Sequence, residues 1–321
     1  MKTSTPGPDI GIYLGDALAR YGFLDGHPFA SERYRTFIRA FDAAGLGDRI
    51  RTLAPVRATE QEVLRFHTTG YLERVRAHDA NPIGLLDDGD TPDFPGMLDA
   101  SLHVVGSSLD ACRRVLSGEL TRGFVPIGGL HHARRDAAAG FCVFNDIGIL
   151  IETLREVHGV ARITYVDIDA HHGDGVYYAF ADDPELHIVD FHEDGRYLYP
   201  GTGTATETGL GTARGTKLNV PLPPGADDEL FLDLWSKVLG FLDASRPEIL
   251  LLQCGADCLA GDPLTHLRLS TAVHAQVTAD LCAIANNHCR GRLLITGGGG
   301  YNPVNTAAAW VTVADALCSA D

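Results

Sequence analysis

The sequence predicts an α/β protein with a mostly parallel central sheet and helices on both of its faces. Its short apolar runs are continuous rather than alternating, which is typical of strands buried on both sides. Longer segments with apolar residues at helical spacing separate these runs, as in successive strand–helix units. No internal repeat or linker-like break interrupts the 321 residues, so we expect one domain over residues 1–321. Residues 1–10, rich in Pro, Gly, Ser and Thr, are expected to form a loose N-terminal segment.

The helices and strands follow from periodicity and from residues that favour helix ends. Ser31 is expected to cap a first helix that Gly45 closes, and Asp227 is expected to cap a later one. The predicted helices cover residues 31–44, 96–117, 147–157, 175–181, 227–244, 270–286 and 305–318. The segment 59–77 is predicted to form two short helices that are separated at residues 67–70. The predicted strands cover residues 123–127, 163–166, 186–192, 217–221, 248–253 and 292–296.

Composition excludes some classes of function. A net charge of -16 argues against a protein that binds the nucleic-acid backbone, and no apolar run approaches the roughly 18 residues needed to span a bilayer. The seven cysteines are scattered without paired spacing, which fits reduced thiols and a cytoplasmic protein. The acidic surface would favour cationic partners such as a lysine-rich peptide, although solubility alone explains it equally well.

The stretch 165–175 has the strongest chemical signal. Asp167, Asp169 and His171 alternate at the end of the apolar run 163–166, so a strand would place them on one face. Carboxylate oxygens and an imidazole nitrogen at this spacing suit a zinc-like ion. The alternative is a strand ending in a polar turn whose histidines only form hydrogen bonds.

Other polar residues also follow predicted strands. His131 and His132 come after two glycines behind the strand 123–127, as expected for a catalytic pair. Asp257 follows the strand 248–253, and Tyr301 follows the last strand. Because ligands of parallel sheets bind outside the carboxyl ends of the strands, we expect these residues to share one site.

These motifs resemble the histone deacetylase superfamily. The resemblance extends from about Asp25 onward and includes, in order, residues 128–133, 140–142, 167–175, 253–257 and 297–302. Residues 90–97 and 192–203 are most similar to the bacterial acetoin-utilisation branch. The resemblance implies a three-layer, arginase-like α/β fold and the hydrolysis of acyl-lysine amides.

The resemblance also implies two ion sites. Asp169, His171 and Asp257 would bind the catalytic metal, usually Zn²⁺, with Fe²⁺ as an alternative for such an oxygen-rich set. A structural K⁺ ion would lie beside it. Its site would be formed by Asp167, Asp169, His171, Asp190 and Phe191. The family commonly has serine where Asp190 stands, and the additional buried carboxylate requires a cation or a proton.

The catalytic roles follow from the same resemblance. His132 would take a proton from metal-activated water and deliver it to the leaving lysine amine. Asp167 would orient His131, and Asp174 would orient His132. Tyr301 would donate its hydroxyl to the substrate carbonyl and stabilise the oxyanion.

Substrate contacts are implied at five positions. Phe141 and Tyr199 would form aromatic walls around the lysine methylenes, with Gly140 supplying clearance or a carbonyl. Asp90 would hold substrate backbone amides at the rim. Leu264 stands where polyamine deacetylases have Glu, which favours an acyl-lysine peptide or protein over a polyamine. A deacetylase of acetylpolyamines or other small amides remains the alternative, and a non-hydrolysing acyl-lysine binder would need neither the histidines nor the tyrosine. The oligomeric state is left open.

Overall fold

The computed structural model describes residues 9–23, 26–87, 89 and 91–320. These residues contain an 8-stranded sheet in the order β2-β1-β3-β8-β7-β4-β5-β6, and every neighbouring pair of strands is parallel. The strands are β1 (Ile10–Tyr13), β2 (Arg51–Leu53), β3 (Arg122–Val125), β4 (Ile163–Asp167), β5 (Leu186–Glu193), β6 (Lys217–Leu222), β7 (Ile249–Gln253) and β8 (Leu293–Thr296).

Helices surround this sheet. They are α1 (Asp16–Ala19), α2 (Glu32–Ala43), α3 (Glu60–Val63), α4 (Thr69–Ala80), α5 (Met97–Ser117), α6 (Asp146–Glu156), α7 (Asp174–Ala179), α8 (Asp228–Ala244), α9 (Thr271–Cys289) and α10 (Pro303–Ser319). The central strand β8 contacts both α5 and α9, and α9 also packs against α8 and α10. Every residue of β3, β4, β7 and β8 is buried, as expected for strands covered on both faces. In the described part of the chain, no helix has the length and apolarity needed to cross a membrane.

The predicted fold class is confirmed, and the predicted strands differ from the observed ones by only a few residues at their ends. The sequence did not predict β1 and β2. In β2 only Leu53 is buried, so this edge strand lacks the apolar run that marks an interior strand. β1 begins at Ile10, which corrects the boundary of the segment expected to be loose, and residues 1–8 lie outside the described chain.

The predicted helix ends have different outcomes. Asp227 caps α8 as expected, because its Oδ1 accepts a hydrogen bond from the backbone N–H of Leu230 over 3.2 Å. Ser31 does occupy the N-cap position of α2, but its backbone is already helical and its side chain accepts no capping hydrogen bond. Gly45 does follow α2 in the left-handed conformation, with φ of 65°.

The register of the sheet brings distant residues to one edge. Val125 pairs with Thr296, Thr296 with Gln253, Gln253 with Asp167, and Asp167 with Asp190. All five residues lie at or near the carboxyl ends of their strands. The loops that follow β3, β4, β7 and β8 therefore converge on one place at the top of the sheet.

Candidate active site

A carboxylate–histidine triad lies where these loops meet. Nδ1 of His171 lies 3.0 Å from Oδ1 of Asp169 and 3.1 Å from Oδ2 of Asp257. All three side chains are buried, and one potential ligand atom from each lies within 4.8 Å of the other two. The residues predicted to bind metal are thus brought together in a group that could hold an ion.

Neighbouring groups hold two oxygens of the triad by hydrogen bonds. Oδ2 of Asp169 accepts hydrogen bonds from Nε2 of Gln253 and from the backbone N–H of Gly299, both over 2.8 Å. Oδ1 of Asp257 accepts one from the N–H of Ala170, also over 2.8 Å. The other donors of the triad are two carboxylate oxygens and the imidazole nitrogen of His171, a set that fits a divalent transition metal.

Glycines are required beside these carboxylates. A Cβ on Gly255 would lie 2.1 Å from Oδ2 of Asp169, and a Cβ on Gly299 would lie 2.2 Å from Oδ2 of Asp257. Neither distance is compatible with a side chain. The glycine turns after β7 and β8 therefore make room for the two carboxylates to approach each other.

The buried carboxylates of the triad favour a positively charged group beside them. Burial and the neighbouring Asp169 carboxylate raise the pKa of Asp257 to about 7. Burial alone would lower the pKa of His171, but its hydrogen bonds to Asp169 and Asp257 raise it to about 10. Two buried carboxylates held this close favour a positive charge beside them, which a protonated His171 or a divalent metal supplies.

Two imidazoles lie beside the triad, each oriented by its own carboxylate. Nδ1 of His131 lies 2.7 Å from Oδ2 of Asp167, and Nδ1 of His132 lies 2.7 Å from Oδ1 of Asp174. A carboxylate only accepts hydrogen bonds, so each Nδ1 carries a proton. The two Nε2 atoms face each other over 3.1 Å. The predicted pairing of these four residues is therefore present in the structure.

The two imidazoles differ in basicity. Burial would lower the pKa of His131, but the charges of Asp167 and Asp169 raise it to about 10. At His132, burial and the positive charge of His131 lower the pKa to about 4. At neutral pH, His132 therefore stays neutral, and its unprotonated Nε2 faces the Nε2–H of the charged His131.

Three supporting residues were missed by the sequence analysis. Tyr165 donates its hydroxyl to Oδ2 of Asp167 over 2.6 Å, and Gln253 holds Asp169 as described above. Tyr165 precedes Asp167 by two residues, so strand alternation could have revealed it. The third is Asp262, which carries no motif signal.

Asp262 links Tyr301 to Leu264. Its Oδ2 accepts from the N–H of Tyr301 over 2.8 Å, and its Oδ1 accepts from the N–H of Leu264 over 2.9 Å. The Tyr301 ring lies 6.2 Å from the ring of His171. Burial and the nearby carboxylates raise the pKa of Tyr301 well above its usual value, so the hydroxyl remains a hydrogen-bond donor.

Gly140 and Phe141 form a strained turn against the paired histidines. Their φ angles are 52° and 66°, a region that a phenylalanine rarely adopts. A Cβ on Gly140 would lie 2.4 Å from Cδ2 of His132, so a side chain at this position would displace that ring. The turn is held by Thr91, whose Oγ1 accepts from the Phe141 N–H over 3.1 Å, and by Tyr21, which donates to the Phe141 carbonyl over 2.9 Å.

Aromatic rings lie on more than one side of the site. The Phe141 ring lies 5.7 Å from that of Tyr301, and the Tyr199 ring lies 5.2 Å from that of His132. Leu264 is 38% exposed and adjoins the site through Asp262. Asp90, the predicted rim carboxylate, lies outside the described residues.

Asp190 already has a positively charged partner. Its Oδ1 lies 2.7 Å from Nδ1 of His192, whose Nε2 donates to the Gly203 carbonyl over 2.8 Å. Its Oδ2 accepts from the N–H of Gly173 over 2.9 Å. Burial alone would lower the pKa of His192, but Asp190 raises it, so the ring compensates the additional carboxylate. Phe191, the other residue predicted to bind K⁺ from this strand, is buried, and that K⁺ site stays a prediction.

An all-parallel α/β sheet with a carboxylate–histidine triad and an oriented histidine pair at its strand ends defines a class of hydrolases. Residues 27–317 match the family model described as the histone deacetylase domain, and the chain belongs to the histone deacetylase family. This confirms the family resemblance and identifies the chain as a deacetylase-type hydrolase.

Curated relatives agree with this assignment. The chain is 35% identical over 297 residues to the acetoin utilization protein AcuC of Bacillus subtilis, covering 88% of this chain and 75% of the relative. It is 32% identical over 301 residues to AcuC of Staphylococcus xylosus, covering 91% and 78%. It is also 32% identical over 310 residues to the histone deacetylase clr6 of Schizosaccharomyces pombe, covering 94% and 75%.

Proposed function

We propose that this chain is a metal-dependent amidohydrolase that removes acetyl or other short acyl groups from lysine side chains. The observation that carries the proposal is the position of the oriented histidine pair beside the triad. The rings of His132 and His171 are 5.8 Å apart, and both are buried. A base at this distance reaches a water molecule or an amide that lies between the two groups.

The metal, held by Asp169, His171 and Asp257, supplies Lewis-acid polarisation of water and of the substrate carbonyl when it is bound. Zn²⁺ is the proposed ion, with Fe²⁺ as the alternative, because the donor set contains two carboxylates and one imidazole. We include K⁺ beside Asp167 and Asp190 as a structural ion.

Proton transfer is assigned to His132. Its neutral Nε2 takes the proton of the attacking water and later delivers it to the leaving lysine amine. Asp174 fixes the tautomer by accepting from Nδ1. His131, held in its charged form by Asp167, keeps the pKa of His132 low, so that the base is available at neutral pH.

Oxyanion stabilisation is assigned to Tyr301. Its hydroxyl donates to the carbonyl oxygen as negative charge develops there, since the raised pKa keeps the hydroxyl protonated. Asp262 positions this residue through the hydrogen bond from its N–H. Removing one donor of this kind typically costs about 10²–10³ in kcat.

The substrate assignment rests on the apolar and aromatic character of the entrance. Phe141 and Tyr199 suit the four methylenes of a lysine side chain, whose burial contributes about 3 kcal/mol. Leu264 offers no anion to the second amine of a polyamine. We therefore propose an acyl-lysine peptide or protein in the cytoplasm as the substrate, with Asp90 binding its backbone amides at the rim.

A kinetic panel tests this function. Protein reconstituted with Zn²⁺ or Fe²⁺ is assayed with acetyl-lysine peptides, acetylspermidine and acetylputrescine. We expect a higher kcat/KM for the peptides, and we expect Leu264→Glu to shift the preference toward the polyamines. Faster turnover of an acetylpolyamine than of every peptide would instead assign the chain to small amides.

A further inference from the structure

A groove with exposed positive charge opens beside the site. Its volume is about 680 Å³, and Tyr199 lines it together with two residues of α4, with residues 83, 85–87 and 89, and with Arg134 and residues 137–139. The Tyr199 ring also lies 5.2 Å from the ring of His132. The groove is therefore continuous with the entrance to the candidate active site.

Two arginines supply the positive charge of this groove. The side chain of Arg134 is exposed and forms no ion pair or hydrogen bond with any of the described residues. Arg74 donates to the backbone carbonyl of Asp136 and lies over the ring of Tyr71, so it too is without a carboxylate partner in the described chain. Both guanidinium groups are available to an anion.

The other charged groups of the groove are already engaged. Asp87 accepts hydrogen bonds from the N–H of Gly89 and from the N–H and hydroxyl of Thr91, over 3.1, 3.0 and 2.7 Å. His78 pairs with Asp93, with 2.8 Å between Nδ1 and Oδ2. The described lining thus carries two arginine charges against one carboxylate, Asp87, whose hydrogen-bond donors are all neutral.

Arg134 is also close to the chemistry along the chain. It follows His132 by two residues, so their Cα atoms are at most about 7 Å apart. A peptide whose acyl-lysine reaches His132 must place its neighbouring residues near Arg134. A carboxylate on one of those residues could form a bidentate pair with the guanidinium.

We infer that this groove binds the substrate segment that flanks the acyl-lysine and selects an acidic side chain in it through Arg134, with Arg74 assisting. This inference rests on the proposed acyl-lysine hydrolysis and defines its sequence preference. Because the arginines are exposed, the expected gain is moderate, about three- to tenfold in kcat/KM for Asp over Asn, and it should weaken with added salt.

Matched peptides test the preference. The peptides share one acetyl-lysine and carry Asp, Asn or Lys at a single position, scanned over the three residues on either side. For the wild type, we expect at least one position where the Asp peptide exceeds the Asn peptide by the stated factor. Arg134→Ala should bring that ratio close to one, and Arg134→Glu should make the Lys peptide the best of the three.

The exposed Arg35 of α2, whose guanidinium also has no partner among the described residues, provides the matched control. Arg35→Ala should keep the wild-type ratio. A gained preference for Lys in Arg134→Glu cannot arise from misfolding, so this variant keeps the test decisive. Peptide hydrolysis with an Asp-to-Asn ratio of one at all positions would overturn the groove assignment alone. Failure to hydrolyse any peptide would overturn the proposed function itself.

Discussion

Nε2 of Gln253 donates to Oδ2 of Asp169 over 2.8 Å and so fixes the orientation of one carboxylate of the triad. Gln253 is itself held, because its Oε1 accepts from the N–H of Gly255 over 2.7 Å. Residues that orient a metal ligand in this way typically contribute 10- to 100-fold to metal affinity.

Gln253→Met should therefore weaken metal binding by about 10- to 100-fold, because Asp169 loses the hydrogen bond that aims its other oxygen. Competition with a chromophoric chelator measures the affinity. Gln276→Met, on the exposed face of α9, is the control and should bind metal as tightly as the wild type. Equal affinities for the two variants would contradict the orienting role.

The roles proposed for His131 and His132 predict which of the two alanine substitutions reduces kcat more. His132→Ala should reduce kcat by about 10²–10⁴ while metal content stays intact, because it removes the proton-transfer group. His131→Ala should be milder, since it removes only the group that sets the pKa of the base. Metal analysis of each variant provides the control. If His131→Ala is the more severe at the pH optimum, the two roles are assigned to the wrong rings.

The strained turn predicts that Gly140 tolerates no side chain. Gly140→Ala places a Cβ 2.4 Å from the His132 ring at a positive φ, so we expect a destabilisation of about 1–2 kcal/mol and a large loss of kcat. Thermal unfolding and steady-state rates measure the two effects. Gly47→Ala, where a Cβ would meet no atom within 4 Å, should change neither quantity. Wild-type kcat in Gly140→Ala would refute the clearance argument.

We expect His67 to contribute to the loss of folding stability at acidic pH. The ring is 2% exposed, its Nε2 accepts from the Asn145 N–H over 2.9 Å, and burial lowers its pKa to about 3. In the unfolded chain the pKa of His67 is about 6.5, so below that pH the unfolded state binds a proton that the folded state does not bind. This contribution to stability is complete above pH 6.5 and is lost as the pH falls toward 3.

A variant isolates this contribution. Gln in place of His67 retains an acceptor for the Asn145 N–H but does not titrate. The free energy of unfolding of the wild type should thus fall by about 2 kcal/mol more than that of His67→Gln between pH 7 and pH 4.5. Urea denaturation at a series of pH values gives both curves. Parallel curves would show that His67 does not contribute to the pH dependence.

The sequence could predict where the site residues lie because the carboxyl ends of parallel strands meet at one edge of the sheet. His131, Asp169 and Asp257 lie far apart in the chain, yet each follows an apolar run, and the register of β3, β8, β7 and β4 brings them together. This rule needs only the strands and the polar residues behind them.

The groups that support the site were harder to predict. Gln253 was interpreted as the end of a strand, because its contact with Asp169 depends on how two strands pair. The need to compensate Asp190 was foreseen, but its partner His192, two residues along the same strand face, was not. Asp262 accepts hydrogen bonds from backbone N–H groups, and such contacts cannot be recognised from the residue types of a motif. The position of Asp90 stays a prediction.

We propose that hydrolysis by this chain requires a metal held by Asp169, His171 and Asp257. The most direct measurement is turnover of an acetyl-lysine peptide by the wild type and by Asp257→Ala, with metal content determined in parallel, before and after chelation and reconstitution. The wild type should lose its activity with its metal and regain both on adding Zn²⁺ or Fe²⁺, whereas Asp257→Ala should retain neither metal nor activity while keeping its fold by circular dichroism. Stoichiometric metal with wild-type rates in Asp257→Ala, or full activity in the stripped wild type, would contradict the account.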